Sequence, residues 1–293
     1  MECFLPEGRM PAVRQCTGDV GHVLKSALKN GQILEGQALY CTPEHDLMVS
    51  FGGVVGIIPR QEAALGIAEG ATKEIAILSR VGKPVCFTVL SLDTSDGTLR
   101  PVFSRRAAQQ EAFDYLFTLP LGTVLPATIT HLEPFGAFLD VGCGAVSMVG
   151  LENCSVARVT HPAQRFRPGQ EIHVMLTGKE PERNRVLVSH KELLGTWSEN
   201  AACFARGMTV PGYVRGVKSY GIFVELAPNL SGLAEVVDGV HPGDRVSVFL
   251  KAILPEKQKI KLLIIDTLPP LDTPPPIRYF IDEGRITNWQ YGP

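Results

Sequence analysis

Helical spacing of apolar residues is brief and rare along this chain. In DVGHVLKSALKN (19–30), Val20, Val23, Leu24, Ala27 and Leu28 fall on one face, with Asp19 before them and Asn30-Gly31 after. That pattern predicts a short capped amphipathic helix. From Gly31 the period shortens. GQILEGQALYCT, DLMVSFGGVVGIIP, KPVCFTVLSLDT and GTLRPVFS are short apolar runs broken by Gly, Pro, Asp and Ser. They predict the strands of a small barrel or sandwich. Gly52-Gly53 with Gly56 reads as a bulge or turn between two of them, not as a nucleotide loop. AAQQEAFDYLF (107–117) is helical again.

After this helix the pattern repeats. Gly122 to Val141 (GTVLPATITHLEPFGAFLDV) aligns without a gap on Gly207 to Leu226 (GMTVPGYVRGVKSYGIFVEL). Gly122 falls on Gly207, Pro126 on Pro211, Phe135 on Tyr220, Gly136 on Gly221 and Phe138 on Phe223. The ends match as well: RPGQEIHVML (167–176) with HPGDRVSVFL (241–250), and PERNRVLV (181–188) with PEKQKIKL (255–262). Each closing pair reads strand, polar turn, strand. A repeat of this length means one small domain used more than once. The first unit has the same layout at weaker identity, with Glu44-His45-Asp46 where the others place Phe135 or Tyr220. It reads as a third, divergent copy.

The expected organisation is a loose lead and helix (1–30), a divergent repeat (31–106), a helical connector (107–120), a second repeat (121–190), a second connector (191–206), a shortened third repeat (207–267), and a Pro-rich linker with a C-terminal hairpin around Asp282-Glu283-Gly284 (268–293). The third repeat passes from Gly232-Leu233 to Pro242-Gly243 in fewer residues than the second needs between matching points. Leu193, Leu194, Trp197 and Phe204 are the packing residues of the second connector. Tyr279, Phe280, Ile281 and Trp289 in the tail are too apolar to stay in water, so the tail is expected to dock on the chain itself.

Composition narrows the chemistry. The net charge is −2 over 293 residues, and the two clear copies (121–267) carry 15 basic against 14 acidic residues. Nucleic-acid binding therefore has to come from local patches, not a global field. The seven cysteines are scattered and form no CxxC pair, which speaks for free thiols and against a disulfide framework or zinc ribbon. Cys143, Cys154 and the histidines show no metal-ligand spacing, and no catalytic motif is present. No cofactor, metal or enzymatic activity is expected. With no signal-like or membrane-length apolar stretch, the expected location is the cytoplasm.

Gly122, Phe135-Gly136-Ala137-Phe138, Gly150-Leu151, Arg167-Pro168-Gly169 and Arg185-Val186-Leu187-Val188-Ser189 resemble, in that order, the S1 RNA-binding domain of bacterial ribosomal protein S1. Ser189-His190-Lys191-Glu192-Leu193-Leu194 with Trp197 resembles that family's connector between repeats, and Ser104-Arg105-Arg106-Ala107-Ala108 the connector after an early repeat. LMVSFGGVVGIIP (47–59) is similar to its divergent N-terminal repeats. The resemblance covers roughly 20–266. It implies an all-β chain of three tandem five-stranded OB-fold barrels joined by short helical connectors, with bases of single-stranded RNA stacking on exposed rings while cations follow the phosphates.

Carried over by position, the stacking pairs are Phe135 with Phe138 and Tyr220 with Phe223. The family's basic residue after the closing turn falls on Arg185 and Lys259, and its third-strand His on Asn153 and Glu235. Arg183, Arg185, Arg165 and Arg167 form a candidate phosphate patch, with Arg215 and Lys218 beside Tyr220. On a straight strand, residues three apart face opposite sides. Either one ring of each pair is buried or a bend at the intervening Gly turns both outward. The expected partner is single-stranded RNA, messenger or ribosomal, and the ribosome; no membrane is expected. The alternatives are a protein-interaction scaffold of barrels with little RNA affinity, supported by the near-neutral charge, Asn153, Glu235 and the short third unit, and a regulatory subunit that brings RNA to an enzyme.

Overall fold

The computed structural model describes residues 4–9, 18–95, 97–271, 273 and 275–292. Helix α1 (Val20–Asn30) starts where Asp19 accepts from the Gly21 N–H and stops at Gly31, whose φ of 64° is the left-handed conformation that ends a helix. It packs on the first barrel, made of β1 (Leu34–Cys41), β2 (Leu47–Phe51), β3 (Val54–Ile58), β4 (Pro84–Asp93) and β5 (Arg100–Ser104), with the short helix α2 (Ile75–Leu78) before β4. The strands close in the order β1-β2-β3-β5-β4. Gly52 and Gly53, at φ 54° and 85°, make the two-residue turn between β2 and β3. A Cβ at Gly56 would lie 2.2 Å from the Phe103 ring, which stacks on Phe87 at 4.0 Å in the barrel core. The glycines of this unit thus serve a turn and a packed ring.

Helix α3 (Arg105–Thr118), capped by Ser104, leads into the second unit. Its buried face, Ala108, Ala112, Phe113 and Leu116, joins the core formed by β6 (Val124–Glu133), β7 (Gly136–Asp140), β8 (Val146–Gly150), β9 (Glu171–Glu180) and β10 (Arg185–Ser189). These strands run β10-β9-β6-β7-β8. The Ser147 hydroxyl donates to the Val186 carbonyl at 2.8 Å and ties β8 to β10. Helix α4 (Leu151–Cys154) follows β8. The second connector is a 3₁₀ turn over Lys191–Leu194 and helix α5 (Trp197–Ala201), opened by a Thr196–Glu199 capping box.

The third barrel closes as β11 (Thr209–Lys218), β12 (Gly221–Ala227), β13 (Leu230–Ala234), β15 (Lys259–Leu268) and β14 (Arg245–Leu254). No helix lies between β13 and β14, the place that α4 takes in the second unit. Gly122 and Gly207 have φ 87° and 89°, and the closing turns pivot on Asn184 and Gln258 at 44° and 47°. The duplicated sequence is a duplicated backbone.

Two expectations are corrected. Residues 4–9 are not a loose lead. Glu7 lies between the first and second barrels, where its carboxylate takes Arg105 Nε at 2.6 Å and Nη2 at 2.8 Å, and its N–H donates to Asp140 at 2.8 Å. The rest of the expected lead, residues 1–3 and 10–17, lies outside the described residues, as do Asp272 and Pro274 of the linker. The tail is not a hairpin either. Arg285 forms one bridge to Thr123, the Val124 N–H donates to the Gly284 carbonyl, and the Ile286 N–H to that of Gly122. Once the start of β6 offered unpaired backbone groups, pairing there displaced pairing within the tail.

Candidate nucleic-acid interface

In the second barrel Phe135 occupies the turn before β7 and Phe138 is the third residue of that strand. Ala137 and Leu139 are buried, so Phe138 points outward. Phe135, free of the strand's alternation, turns to the same side. The rings meet edge to face at 6.0 Å, and Phe135 is 57% exposed. A Cβ at Gly136 would come within 2.7 Å of the Val149 carbonyl oxygen. Glycine is therefore needed here for close strand approach, and the turn supplies the change of direction.

The structure adds residues that the sequence did not mark as RNA contacts. His131 lies opposite Phe138 on β6, and their rings stack at 4.3 Å and 8°. Met148 lies opposite Phe138 on β8 and is exposed. Leu187 is a further outward apolar residue, on β10. Cross-strand register is the signal that finds His131 and Met148: each is the outward residue paired with Phe138. The result is an aromatic and apolar row across β6, β7 and β8 on an outer barrel wall.

The third barrel repeats the geometry. Tyr220 and Phe223 meet at 6.1 Å and 90°, with Tyr220 68% exposed. Gly216 stands opposite Phe223 where the second barrel has His131, so this face has two rings instead of three. Lys218 ends β11 and Lys259 begins β15, both exposed.

The expected basic patch divides. Arg183 and Arg185 are exposed at the closing turn and share Glu180, with Arg185 at 2.9 Å and Arg183 at 4.0 Å. Such surface pairs hold weakly and leave the cations able to meet a phosphate. Arg167 is exposed beside Pro168-Gly169. Arg165 and Arg215 are corrected: neither lines an open groove. Arg165 donates to Glu225 at 2.5 Å and to Ser155 at 3.0 Å, and Arg215 donates to the same Glu225 oxygen at 2.6 Å. Their side chains are 5% and 10% exposed. A buried carboxylate requires compensation, and these two guanidiniums supply it across the junction of the second and third barrels. Asn153 accepts from Lys191 Nζ at 3.0 Å and so orients that ammonium.

Comparison with known proteins fits this geometry. Residues 118–191 match the S1 RNA binding domain family. That span is the second barrel with the end of α3 before it. Over 233 residues, 74% of its length, the chain is 30% identical to the small ribosomal subunit protein bS1 of Leuconostoc lactis, covering 52% of that protein. It is 25% identical to bS1 of Rhizobium meliloti over 84% of its length and 44% of that protein. The chain thus spans about half the length of the curated relatives it matches. A crystal structure of a multidomain protein with nucleic acid binding domains from Streptococcus pneumoniae aligns over 82% of the chain and 74% of its own, at 14% identity and a TM-score of 0.27, too low to carry an argument. The expected resemblance to the S1 family and the expected run of three small barrels both hold.

Proposed function

We propose that this chain binds single-stranded RNA on the outer wall of its second barrel and works in association with the ribosome. The observation that carries the reading is the exposed Phe135–Phe138–His131 cluster, three planar rings gathered on one face of an S1 domain. Solvent-exposed rings that do not fill a core offer stacking platforms for unpaired bases, each contributing about 1–3 kcal/mol whatever the base. Arg183 and Arg185 at the closing turn, with Arg167, supply cations for the phosphates. The bS1 names of the relatives support the ribosomal setting. The third barrel carries a weaker version of the same face.

Fluorescence anisotropy with an unstructured oligoribonucleotide tests this. Binding should weaken as salt rises, by counterion release, and Phe135→Ala with Phe138→Ala should abolish most of it. Unchanged binding in that double variant would exclude the stacking face. One observation favours a protein scaffold instead: Arg165 and Arg215 are committed to Glu225 and unavailable to phosphates. Salt-insensitive or absent RNA binding would select that reading.

A further inference from the structure

A cleft of about 560 Å³ opens between the loop that follows α4, the second connector and the C-terminal tail. Its walls include Glu152, Val156, Arg158, Lys191, Trp289 and Tyr291. Leu151 also lines it, and the Leu151 N–H donates to the Phe135 carbonyl at 3.2 Å. One backbone hydrogen bond therefore ties the cleft to the turn that carries Phe135. The tail lies outside the matched S1 domain, so this wall is an addition to that domain's surface.

The chemistry of the cleft is specific. Lys191 is held by the Glu152 carbonyl and Asn153 Oδ1 at 3.1 and 3.0 Å, with no carboxylate partner among the described residues. Arg158 is exposed and makes no ion pair among the described residues. Trp289 and Tyr291 present rings 6.2 Å apart. The Trp289 indole nitrogen is buried with no acceptor among the described residues, so the ring and not its N–H is what the cleft offers a ligand. Two cations beside a planar aromatic wall describe a nucleotide, with the phosphate on the cations and the base on a ring.

We infer that this cleft takes a nucleotide of the same RNA strand after it leaves Phe135, with Trp289 stacking on the base and Lys191 and Arg158 meeting the phosphate. The inference rests on the proposed RNA reading. The tail is then a working part of the binding track, clamped to the second barrel so that its Trp reaches the strand.

Oligouridylates of about four and about twelve nucleotides separate the two sites, because one OB fold engages roughly 4–16 nucleotides. Trp289→Ala should weaken the longer oligonucleotide roughly tenfold and leave the shorter unaffected. Arg158→Gln, at an exposed position where substitutions change stability little, should lower the salt slope of the longer one by about one. The chain has two tryptophans and Trp197 is buried, so quenching by the longer oligonucleotide alone would report Trp289. If both variants bind both lengths like the parent while the Phe135/Phe138 double variant loses both, the cleft is excluded and the aromatic wall stands. If Trp289→Ala weakens both lengths equally, the tail acts through the fold and the inference fails. Quenching by free uridine monophosphate in the concentration range of the longer strand would make this a mononucleotide site and overturn continuation of the strand. A parent protein that binds neither length removes the RNA reading itself.

Discussion

The Arg165 guanidinium of the second barrel donates to the Glu225 carboxylate of the third over 2.5 Å, with both side chains about 5% exposed. Arg215 completes the cluster from within the third barrel. Backbone contacts surround it: the Ala157 N–H donates to the Pro228 carbonyl, and that of Val156 to Asn229 Oδ1. The loop after α4 is thus sealed onto the β12–β13 turn, and the two barrels are held together by buried charge.

Glu225→Gln should be costly because it leaves two buried guanidiniums uncompensated, about 3–5 kcal/mol. Arg165→Met should cost less, since Arg215 still neutralises Glu225. Urea unfolding followed by the emission of Trp197, which packs into the third barrel's core, measures both. The reverse order would show that the cluster does not hold the junction.

Gly122 and Gly207 provide a matched pair. Both have positive φ, so alanine strains either backbone by roughly 1–2 kcal/mol. Only at Gly122 does a Cβ meet the tail, 1.9 Å from the Ile286 carbonyl oxygen, whereas Gly207 has open space. Gly122→Ala should release the tail, and Gly207→Ala should not. Limited proteolysis in the Pro-rich linker distinguishes them.

The tail should also loosen in acid. His190 is wholly buried, its Nδ1 donating to the Cys154 carbonyl at 2.8 Å and its Nε2 accepting from the Tyr279 hydroxyl at 3.1 Å. Burial pushes its pKa down to about 4 from an ordinary 6.5. The folded form resists protonation, so this contribution is whole above pH 6.5 and is lost as pH falls toward 4, by up to about 3 kcal/mol. Asp140 works the other way. Its own burial and the nearby Glu7 raise it to about 7, so its protonated form favours folding and stability drains as pH rises from 3.8 toward 7. Global melting mixes the two effects. Protease sensitivity of the tail should isolate His190, rising between pH 6.5 and 4.

Within the RNA reading, the barrels should rank. His131→Ala removes the ring stacked on Phe138 and should weaken binding about five- to tenfold. Tyr220→Ala with Phe223→Ala should cost less than the corresponding pair in the second barrel, which has one more ring and the helix α4. Anisotropy titrations at fixed salt compare them, and equal losses would show that the faces are equivalent.

Much of the architecture was legible because its signals are local. Asp19 and Gly31 cap a helix within one short segment, and period-two runs with Gly turns mark each barrel. Gly122/Gly207 and Asn184/Gln258 adopt the same dihedrals because the same local sequence recurs. The aromatic pairs were legible as candidates. His131 and Met148 were not, because their place beside Phe138 depends on strand register, not on spacing along the chain. Arg165 read as a surface cation because nothing near it in sequence announces Glu225, sixty residues away.

By itself the sequence determined the repeated unit, the number of barrels and the aromatic pairs of the second and third as candidates, since periodicity and turn chemistry act over a few residues. Tertiary structure alone decided which cations remain available and where the two ends of the chain go. Glu7 became buried between two barrels, and the tail chose the start of β6 over pairing with itself. Those outcomes depend on which buried charges and backbone groups find partners once distant segments meet, and no local pattern carries that information.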